Sequence, residues 1–249
     1  MARNSVFDRY AHEYDWLTNA PVREEQHSRE VTALITTYSP EHVLDAGCAT
    51  GLTSMLFAKQ GVTAVGLDQS KRMVSIAREK YRDSGLPLTF ETGSFERLPA
   101  RMRGTFDLVV CLANSLSGVA TVSDLKRCIG SFHDVLRPRG TLVVQLLNGS
   151  ALKIGEGIPL KVTEHQGIMY LRHLERSSKG LTLEVILVDR SVVPATFDLF
   201  RSTFPTFTRA MLTNALESKK FHKVRCYRDL FLTERFRKTA RDLVIVGTK

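Results

Sequence analysis

Short apolar runs alternate with amphipathic segments over the first 150 residues of the chain. The first two runs end at Gly47 and Asp68, as buried strands do when a turn follows. Between the runs, apolar residues recur at the spacing of a helix face, and Ser70 can cap one such helix. The pattern predicts strands at 42–46, 62–67, 88–91, 105–112 and 141–147, with helices at 52–60, 70–81 and 122–136. Strands that alternate with helices favour a parallel sheet covered by helices on both faces.

The pattern changes after residue 150. Three strand-like segments follow one another without a helix, and glycine turns at Gly167 and Gly180 separate them, so we expect antiparallel hairpins there. These segments are 160–164, 169–175 and 181–189, and a helix at 208–220 with strands at 224–227 and 243–246 completes the chain. Ahead of the first strand, residues 5–38 are expected to form one helical segment that Pro40 ends.

The composition is ordinary for a soluble globular protein. The 249 residues suffice for one large domain, and 43% of them are hydrophobic and 24% charged. The four cysteines form no C-x-x-C pair and no zinc-like spacing with histidine, so we expect no metal and a reducing, cytoplasmic location. The first nine residues lack the apolar stretch of a signal peptide, and no apolar run approaches the roughly 20 residues of a membrane span. We therefore expect no membrane insertion.

Positive charge is concentrated towards the end of the sequence. The formal net charge is +9, and residues 201–249 hold 12 lysines and arginines against 4 aspartates and glutamates, a net +8. A solvated basic face would explain this distribution. A patch for a nucleic acid or an anionic small molecule would also explain it. Both interpretations stay open at this point.

A glycine-containing turn follows the first predicted strand, in the segment Val43-Leu-Asp-Ala-Gly-Cys-Ala-Thr-Gly51. A dinucleotide fingerprint starting at Gly47 would need glycine where Ala49 and Leu52 stand. The carboxylate of Asp45, two residues before Gly47, would repel a pyrophosphate and suits a cofactor with a positive charge, such as an α-amino group. A tight strand-to-helix turn without a ligand is the structural alternative.

Asp68 ends the second predicted strand, 23 residues after Asp45. A carboxylate at that strand end can accept hydrogen bonds from both hydroxyls of a ribose. An amino-acid-like group at the first turn and a ribose at the second describe S-adenosylmethionine.

At this point the chain resembles the class I, seven-stranded S-adenosylmethionine-dependent methyltransferases, and within them the small-molecule group of glycine and sarcosine N-methyltransferases. The motifs that carry the resemblance are 43–51, 66–70 with Met73, 91–95, 106–111, 136–143 and the amino-terminal Phe7-Asp-Arg-Tyr10 and Tyr14-Asp15. The resemblance implies an α/β, Rossmann-like sheet, mostly parallel with an antiparallel last strand and helices on both faces, plus an inserted antiparallel β lid.

The resemblance also implies a division of one methyltransferase domain, 1–249, into four parts. These are an N-terminal helical cap at 1–38, a cofactor-binding core at 39–150, a lid insertion at 151–206 and a C-terminal helix and hairpin at 207–249.

Roles for individual residues follow from the resemblance. The first turn would hold the methionine part of the cofactor, Asp68 the ribose, and the turn after the third strand the adenine. The residues so assigned are Asp45, Gly47, Cys48, Ala49 and Gly51, then Asp68, Gln69 and Met73, then Ser94 and Phe95, with Leu112 and Ala113 bordering the transferred methyl. No metal is implied.

Three positions depart from the family pattern. Ala49 stands where a middle glycine is usual, and Ser94 where an aspartate is frequent. Leu147 replaces an arginine that grips a carboxylate, which disfavours glycine as acceptor and favours a larger or less acidic small molecule. The candidates that would position the acceptor are Tyr14, Asn114, His12 and Arg172. An aromatic ring such as that of Tyr14 can also stabilise a sulfonium.

We therefore expect an S-adenosylmethionine-dependent methyltransferase that methylates a nitrogen or oxygen of a small molecule and releases S-adenosylhomocysteine. An RNA-directed methyltransferase is an alternative that the basic residues at 201–249 favour. A cofactor-binding protein without catalysis is another, because Ala49 and Ser94 depart from the pattern. The oligomeric state is not assigned.

Overall fold

The computed structural model describes residues 6–249. The first five residues, which the predicted amino-terminal helix and the signal-peptide argument include, lie outside the described residues. The side chains of Val6, Phe7 and residues 159–161 lie outside them too, so the Phe7 part of the amino-terminal motif has no structural account.

A seven-stranded sheet forms the centre of the molecule, in the order β10-β11-β5-β4-β1-β2-β3. Its strands are β1 (His42–Ala46), β2 (Thr63–Asp68), β3 (Leu88–Thr92), β4 (Phe106–Cys111), β5 (Leu136–Leu147), β10 (His222–Tyr227) and β11 (Asp242–Thr248). The five strands β1 to β5 pair in parallel, whereas β11 runs antiparallel to both β5 and β10. The expected fold class is confirmed.

Helices pack on both faces of this sheet. They are α3 (Ala20–Tyr38), α4 (Leu52–Lys59), α5 (Lys71–Lys80), α6 (Val122–Val135) and α7 (Arg209–Ser218). On one face, Phe132 of α6 and Leu212 of α7 are fully buried in a core with alternate residues of β4 and β5. On the other face of the sheet, Leu34 of α3 and Phe57 of α4 pack against the remaining, oppositely directed residues of the same strands, such as Leu108 and Val110 of β4. Because every central strand is covered on both sides, its apolar run is continuous, which is the pattern that predicted it.

Two element boundaries differ from the prediction. Helix α6 ends at Val135, and β5 begins at Leu136 instead of 141. Pro138 and Gly140 therefore lie within a strand and not in a loop. The register between β4 and β5 shifts near this point, which accommodates both residues.

The segment predicted to be helical, 5–38, is divided into three helices. They are α1 (Val6–Arg9), α2 (Tyr14–Leu17) and α3. Asn19 breaks the last two apart with a left-handed φ of 57°, and Pro21 stands at the start of α3, where its missing N–H costs no helix bond. Helix α3 packs along α4 and is not a cover, so only residues 6–19, here called the N-terminal segment, reach across the molecule.

A second, four-stranded antiparallel sheet rises from the end of β5, and we call it the lid sheet. Its strands, in spatial order, are β6 (Gly157–His165), β7 (Ile168–Ser177), β8 (Gly180–Asp189) and β9 (Thr196–Phe204). The predicted hairpins are present, but β9 was not predicted, because its residues are nearly all exposed or half-buried and it follows Pro194. The inner face of the sheet packs against Leu17 of α2, and the Trp16 ring stacks on His165 with 3.6 Å between ring centres.

None of the helices in the 6–249 range has the length and hydropathy needed to cross a membrane.

Gly66 allows β2, β3 and α4 to approach one another at the site side of the sheet. A Cβ there would lie 2.6 Å from Cδ1 of Phe90 and 2.8 Å from Oγ of Ser54. Gly66→Ala should therefore lower the free energy of unfolding by about 1–3 kcal/mol through overpacking. Gly118→Ala, whose added Cβ would meet no atom within 4 Å, should change it by less than about 0.5 kcal/mol. Urea denaturation of both variants checks this, and equal losses would contradict it.

Candidate functional site

The turn after β1 is held by the backbone of the neighbouring strand. The N–H groups of Gly47 and Cys48 both donate to the carbonyl oxygen of Leu67, at 2.7 and 3.1 Å. Gly47 has a φ of 89°, and a Cβ on it would lie 2.5 Å from Oγ of Ser115 and 3.2 Å from Cζ of Phe95. Only glycine lets Ser115 and Phe95 pack this closely against the turn, and the region bounded by the turn, Phe95 and Ser115 is here called the hollow, where the turn's backbone is not covered by a side chain of its own.

Asp45 lies at the closed end of this hollow with only 2% of its surface exposed. Oγ of Ser54, on α4, donates to Oδ2 of Asp45 at 2.6 Å. Burial raises the pKa of Asp45 to about 6, and the negative charge of Asp68 adds to the rise. The charge of Arg23, on α3, has the smallest of these effects and lowers the pKa of Asp45.

Asp68 lies at the open side of the same turn. Its Oδ2 accepts from the Ala49 N–H at 3.0 Å and its Oδ1 from the Ser70 N–H at 2.9 Å. Burial raises the pKa of Asp68 despite these bonds. Because β1 and β2 are adjacent and parallel, Asp45 and Asp68 end at the same edge of the sheet, on either side of the glycine turn.

The N-terminal segment lies across this turn and joins it to the lid sheet. Oγ of Ser70 donates to Asp8 at 2.5 Å, and Oγ1 of Thr50 donates to Asp15 at 2.6 Å. Lys80 also donates to Asp15, at 2.8 Å. At the other side, the hydroxyl of Tyr10 hydrogen-bonds to Asp198 of β9, which also pairs with Arg9.

The end of β4 is locked to the end of β5. Ala113 and Asn114 both take left-handed backbone conformations, with φ of 50° and 68°. Oδ1 of Asn114 accepts from the Leu147 N–H at 3.1 Å and from Oγ of Ser117 at 2.8 Å, and Ala113 N–H donates to Oε1 of Gln145 at 3.2 Å. The side-chain oxygen Oδ1 of Asn114 is thus occupied by hydrogen bonds within the fold. Asn114 therefore contributes to the shape of the rim of the hollow more than to binding an acceptor.

The other acceptor candidates lie on three different elements. His12 is exposed in the turn between α1 and α2. Tyr14, on α2, lies beside Arg23, whose guanidinium carbon is 5.7 Å from the ring centre. Arg172 lies on β7 between Tyr170 and Leu174, which belong to the face of the lid sheet that packs against Leu17 of α2.

The remaining predicted cofactor residues surround the hollow in different ways. Gly51 takes a left-handed φ of 88° and packs under Phe90. Leu112 and Met73 are buried behind the turn, while Gln69, Ala113 and Ser94 are exposed at its edge. Burial, followed by the charge of Asp45, raises the pKa of the Cys48 thiol well above its usual value, so this cysteine is an unreactive packing residue. Across residues 6–249 no cluster of three or more histidine, cysteine, aspartate or glutamate side chains could hold a metal ion.

Sequence reasoning missed Arg23, Ser54 and Ser115. Arg23 and Ser54 lie on helix faces that look like ordinary surface and core, and only the tertiary packing brings Ser54 to Asp45 and Arg23 to Tyr14. Ser115 follows the left-handed pair 113–114, which no sequence pattern indicated.

Residues 43–140 match a family model described as a methyltransferase domain. The ubiquinone biosynthesis O-methyltransferase of Vibrio parahaemolyticus is 32% identical to this chain over 106 residues, which are 43% of each protein. The chain spans about half the length of the curated relatives that it matches.

Solved structures match over nearly the whole chain. An S-adenosylmethionine-dependent methyltransferase from Clostridium acetobutylicum has a TM-score of 0.77 at 16% identity, covering 98% of this chain and 99% of that one. CalS10 from Micromonospora echinaspora, an amino pentose methyltransferase with bound S-adenosylmethionine, has a TM-score of 0.70 at 19% identity, covering 100% and 99%. At these identities the likeness shows the fold, which is the fold that the resemblance implied.

Ala49 adopts a left-handed φ of 48°, in which a Cβ is strained. Ala49→Gly should therefore raise the free energy of unfolding by up to about 1 kcal/mol. Ala58→Gly, at a buried position within α4, should lower it by about the same amount or more. Chemical denaturation followed by circular dichroism measures both, and a loss of stability in Ala49→Gly would refute the strain argument.

Proposed function

Because this chain carries a methyltransferase domain on the class I, seven-stranded fold, we propose that it transfers a methyl group from S-adenosylmethionine to a nitrogen or oxygen of a small molecule. The observation that carries the proposal is the pair of carboxylates, Asp45 and Asp68, at adjacent strand ends on either side of the hollow at Gly47.

The donor set of the hollow fits S-adenosylmethionine. Asp45 would receive the α-ammonium group of the methionine part, and Arg23, the cation beside Tyr14, would receive its carboxylate. Asp68 would accept the ribose hydroxyls. The Phe95 ring, half-buried beside Gly47, would pack on the adenine side, and Met73 supports that wall from within the fold.

When bound, S-adenosylmethionine supplies an electrophilic methyl group on its sulfonium. The protein's own contribution is alignment, since a correctly oriented nucleophile needs little further assistance. The rim formed by Leu112, Ala113 and Asn114 is rigid, because hydrogen bonds tie it to β5. The lid sheet and the N-terminal segment close the other side and exclude water from the reacting atoms.

The two alternatives predict different behaviour. An RNA-directed enzyme would need RNA for turnover and would lose activity steeply with salt. A non-catalytic binding protein would bind the cofactor and turn over no acceptor. Screening small amines, phenols and carboxylates for release of S-adenosylhomocysteine, with and without RNA and at two salt concentrations, separates the three.

Asp68 gives the most direct test of the cofactor site. Calorimetric titration of the wild type with S-adenosylhomocysteine should show one-to-one binding, and Asp68→Ala should weaken it by about a hundredfold, because two charge-assisted hydrogen bonds are lost. Asp68→Asn should fall between the two, since it keeps one acceptor. Asp83→Ala, on the exposed turn after α5, serves as the matched control and should bind as the wild type does. Absence of binding to the wild type would sink the proposal.

The raised pKa of Asp45 predicts how affinity for S-adenosylmethionine depends on pH. The α-ammonium group pairs with the ionised carboxylate, so binding strengthens as pH rises through about 6 and should gain about tenfold between pH 5 and pH 7. Burial lowers the pKa of the neighbouring His27 to about 4, so this residue stays neutral throughout the window.

Asp45→Asn keeps the shape of the site and removes the charge. It should weaken binding at pH 7 and flatten the profile between pH 5 and pH 7. A profile in Asp45→Asn as steep as that of the wild type would assign the titration to another group.

A further inference from the structure

Arg172 occupies an unusual place in the lid sheet. It lies on β7 between Tyr170 and Leu174, two residues that are buried in the inner face of the sheet against Leu17. Its cross-strand neighbour on β8, Val185, is 1% exposed. A guanidinium therefore stands in the middle of an apolar face that points at the body of the molecule.

The charge of Arg172 is not compensated within the described part of the chain. Its Nε is buried and has no hydrogen-bond partner there, and no carboxylate of residues 6–249 forms an ion pair with it. Burial lowers the pKa of Arg172, and the charge of Arg23 lowers it further. Arg172 as a whole is half-buried, but a buried polar atom without a partner costs free energy, so such a group is retained for a ligand more readily than for the fold.

Arg23 of α3 is linked to this face through α2, because Leu17 packs in the face and Tyr14, one turn earlier, contacts Arg23. Its Nη1 donates to Oγ1 of Thr18 at 2.6 Å, and its guanidinium lies over the Tyr14 ring. Leu147, whose N–H is bonded to Asn114, packs against the same apolar cluster, so the face that carries Arg172 lies beside the rim at 112–114. Arginine on the outer face behaves differently, because Arg201 of β9 is paired with Glu184 of β8.

We propose that Arg172 binds an anionic group, a carboxylate or a phosphate, on the methyl acceptor; this rests on the proposed function. Arg23 binds the carboxylate of the methionine part, and Arg172 binds a second anionic group, on the acceptor side of the transferred methyl. A guanidinium suits both groups, since its N–H donors match two oxygens at once. The acceptor is thus acidic, although the arginine that the resemblance implied at position 147 is replaced by leucine.

The test uses S-adenosylhomocysteine-saturated protein, so that the methionine site is filled and Arg23 is occupied. Benzoate and inorganic phosphate are titrated by calorimetry, with benzamide as the neutral counterpart of benzoate. At least one anion should bind one-to-one with a dissociation constant of about 1 mM or tighter, while benzamide should not. Benzoate alone would point to a carboxylate, and phosphate to a phosphorylated acceptor.

Three variants accompany the wild type. Arg172→Leu should weaken binding of the anion about tenfold or more, Arg172→Lys should lose less, and Arg201→Leu should change nothing, although it removes the same charge from the same sheet. Without anion, Arg172→Leu should melt a few degrees higher than the wild type, because a half-buried cation with an unbonded Nε is replaced by an apolar side chain on an apolar face. A structural role for Arg172 predicts a lower melting temperature instead.

The inference is overturned if neither anion binds the wild type, if Arg172→Leu binds it unchanged, or if Arg172→Leu melts lower and loses affinity for every ligand. Affinity for S-adenosylhomocysteine, measured beforehand on each variant, keeps the two proposals apart. Failure of the wild type to bind it refutes the methyltransferase proposal, whereas normal binding with no anion site refutes only the role of Arg172.

Discussion

The site depends on two backbone hydrogen bonds from Gly47 and Cys48 to the carbonyl oxygen of Leu67. These bonds join the turn after β1 to the end of β2, and they set the positions of Asp45 and Asp68 relative to each other. The two carboxylates, both with raised pKa values, repel each other, so their arrangement is electrostatically unfavourable without a cation between them. The fold supports it because the central strands are buried on both faces and leave the turn no room to relax.

Conformational strain is concentrated around the same hollow. Ala49, Ala113 and Asn114 all take left-handed backbone conformations, and each borders the turn or its rim. Such conformations persist only where the surroundings enforce them, and here the enforcing contacts are the Asp68 and Gln145 side chains and the β5 backbone. These strained conformations lower the stability of the fold while they hold backbone groups in fixed positions, which is typical of a binding site.

The sheet could be predicted from the sequence because its central strands are buried on both sides and leave continuous apolar runs between turns. Strand β9 could not, since residues such as Phe197 and Leu199 are exposed and give no alternation with a buried set. The breaks between the three N-terminal helices were not predicted, because the helical spacing of apolar residues continues through Asn19. Asp45 and Asp68 were found through their positions at strand ends. The packing of Leu17 against Tyr170, which brings the face that carries Arg172 to α2, joins residues 153 positions apart and has no local signal in the sequence.

The N-terminal segment touches the turn through Asp8 and Asp15 and the lid sheet through Tyr10 and Trp16. The cofactor hollow and the space under the lid sheet therefore share one wall. A ligand that tightens the segment on either side lowers the cost of ordering it for the other, and thermodynamic reciprocity makes the effect equal in both directions. Binding in the two spaces is therefore coupled through the same fourteen residues, 6–19, which contact both.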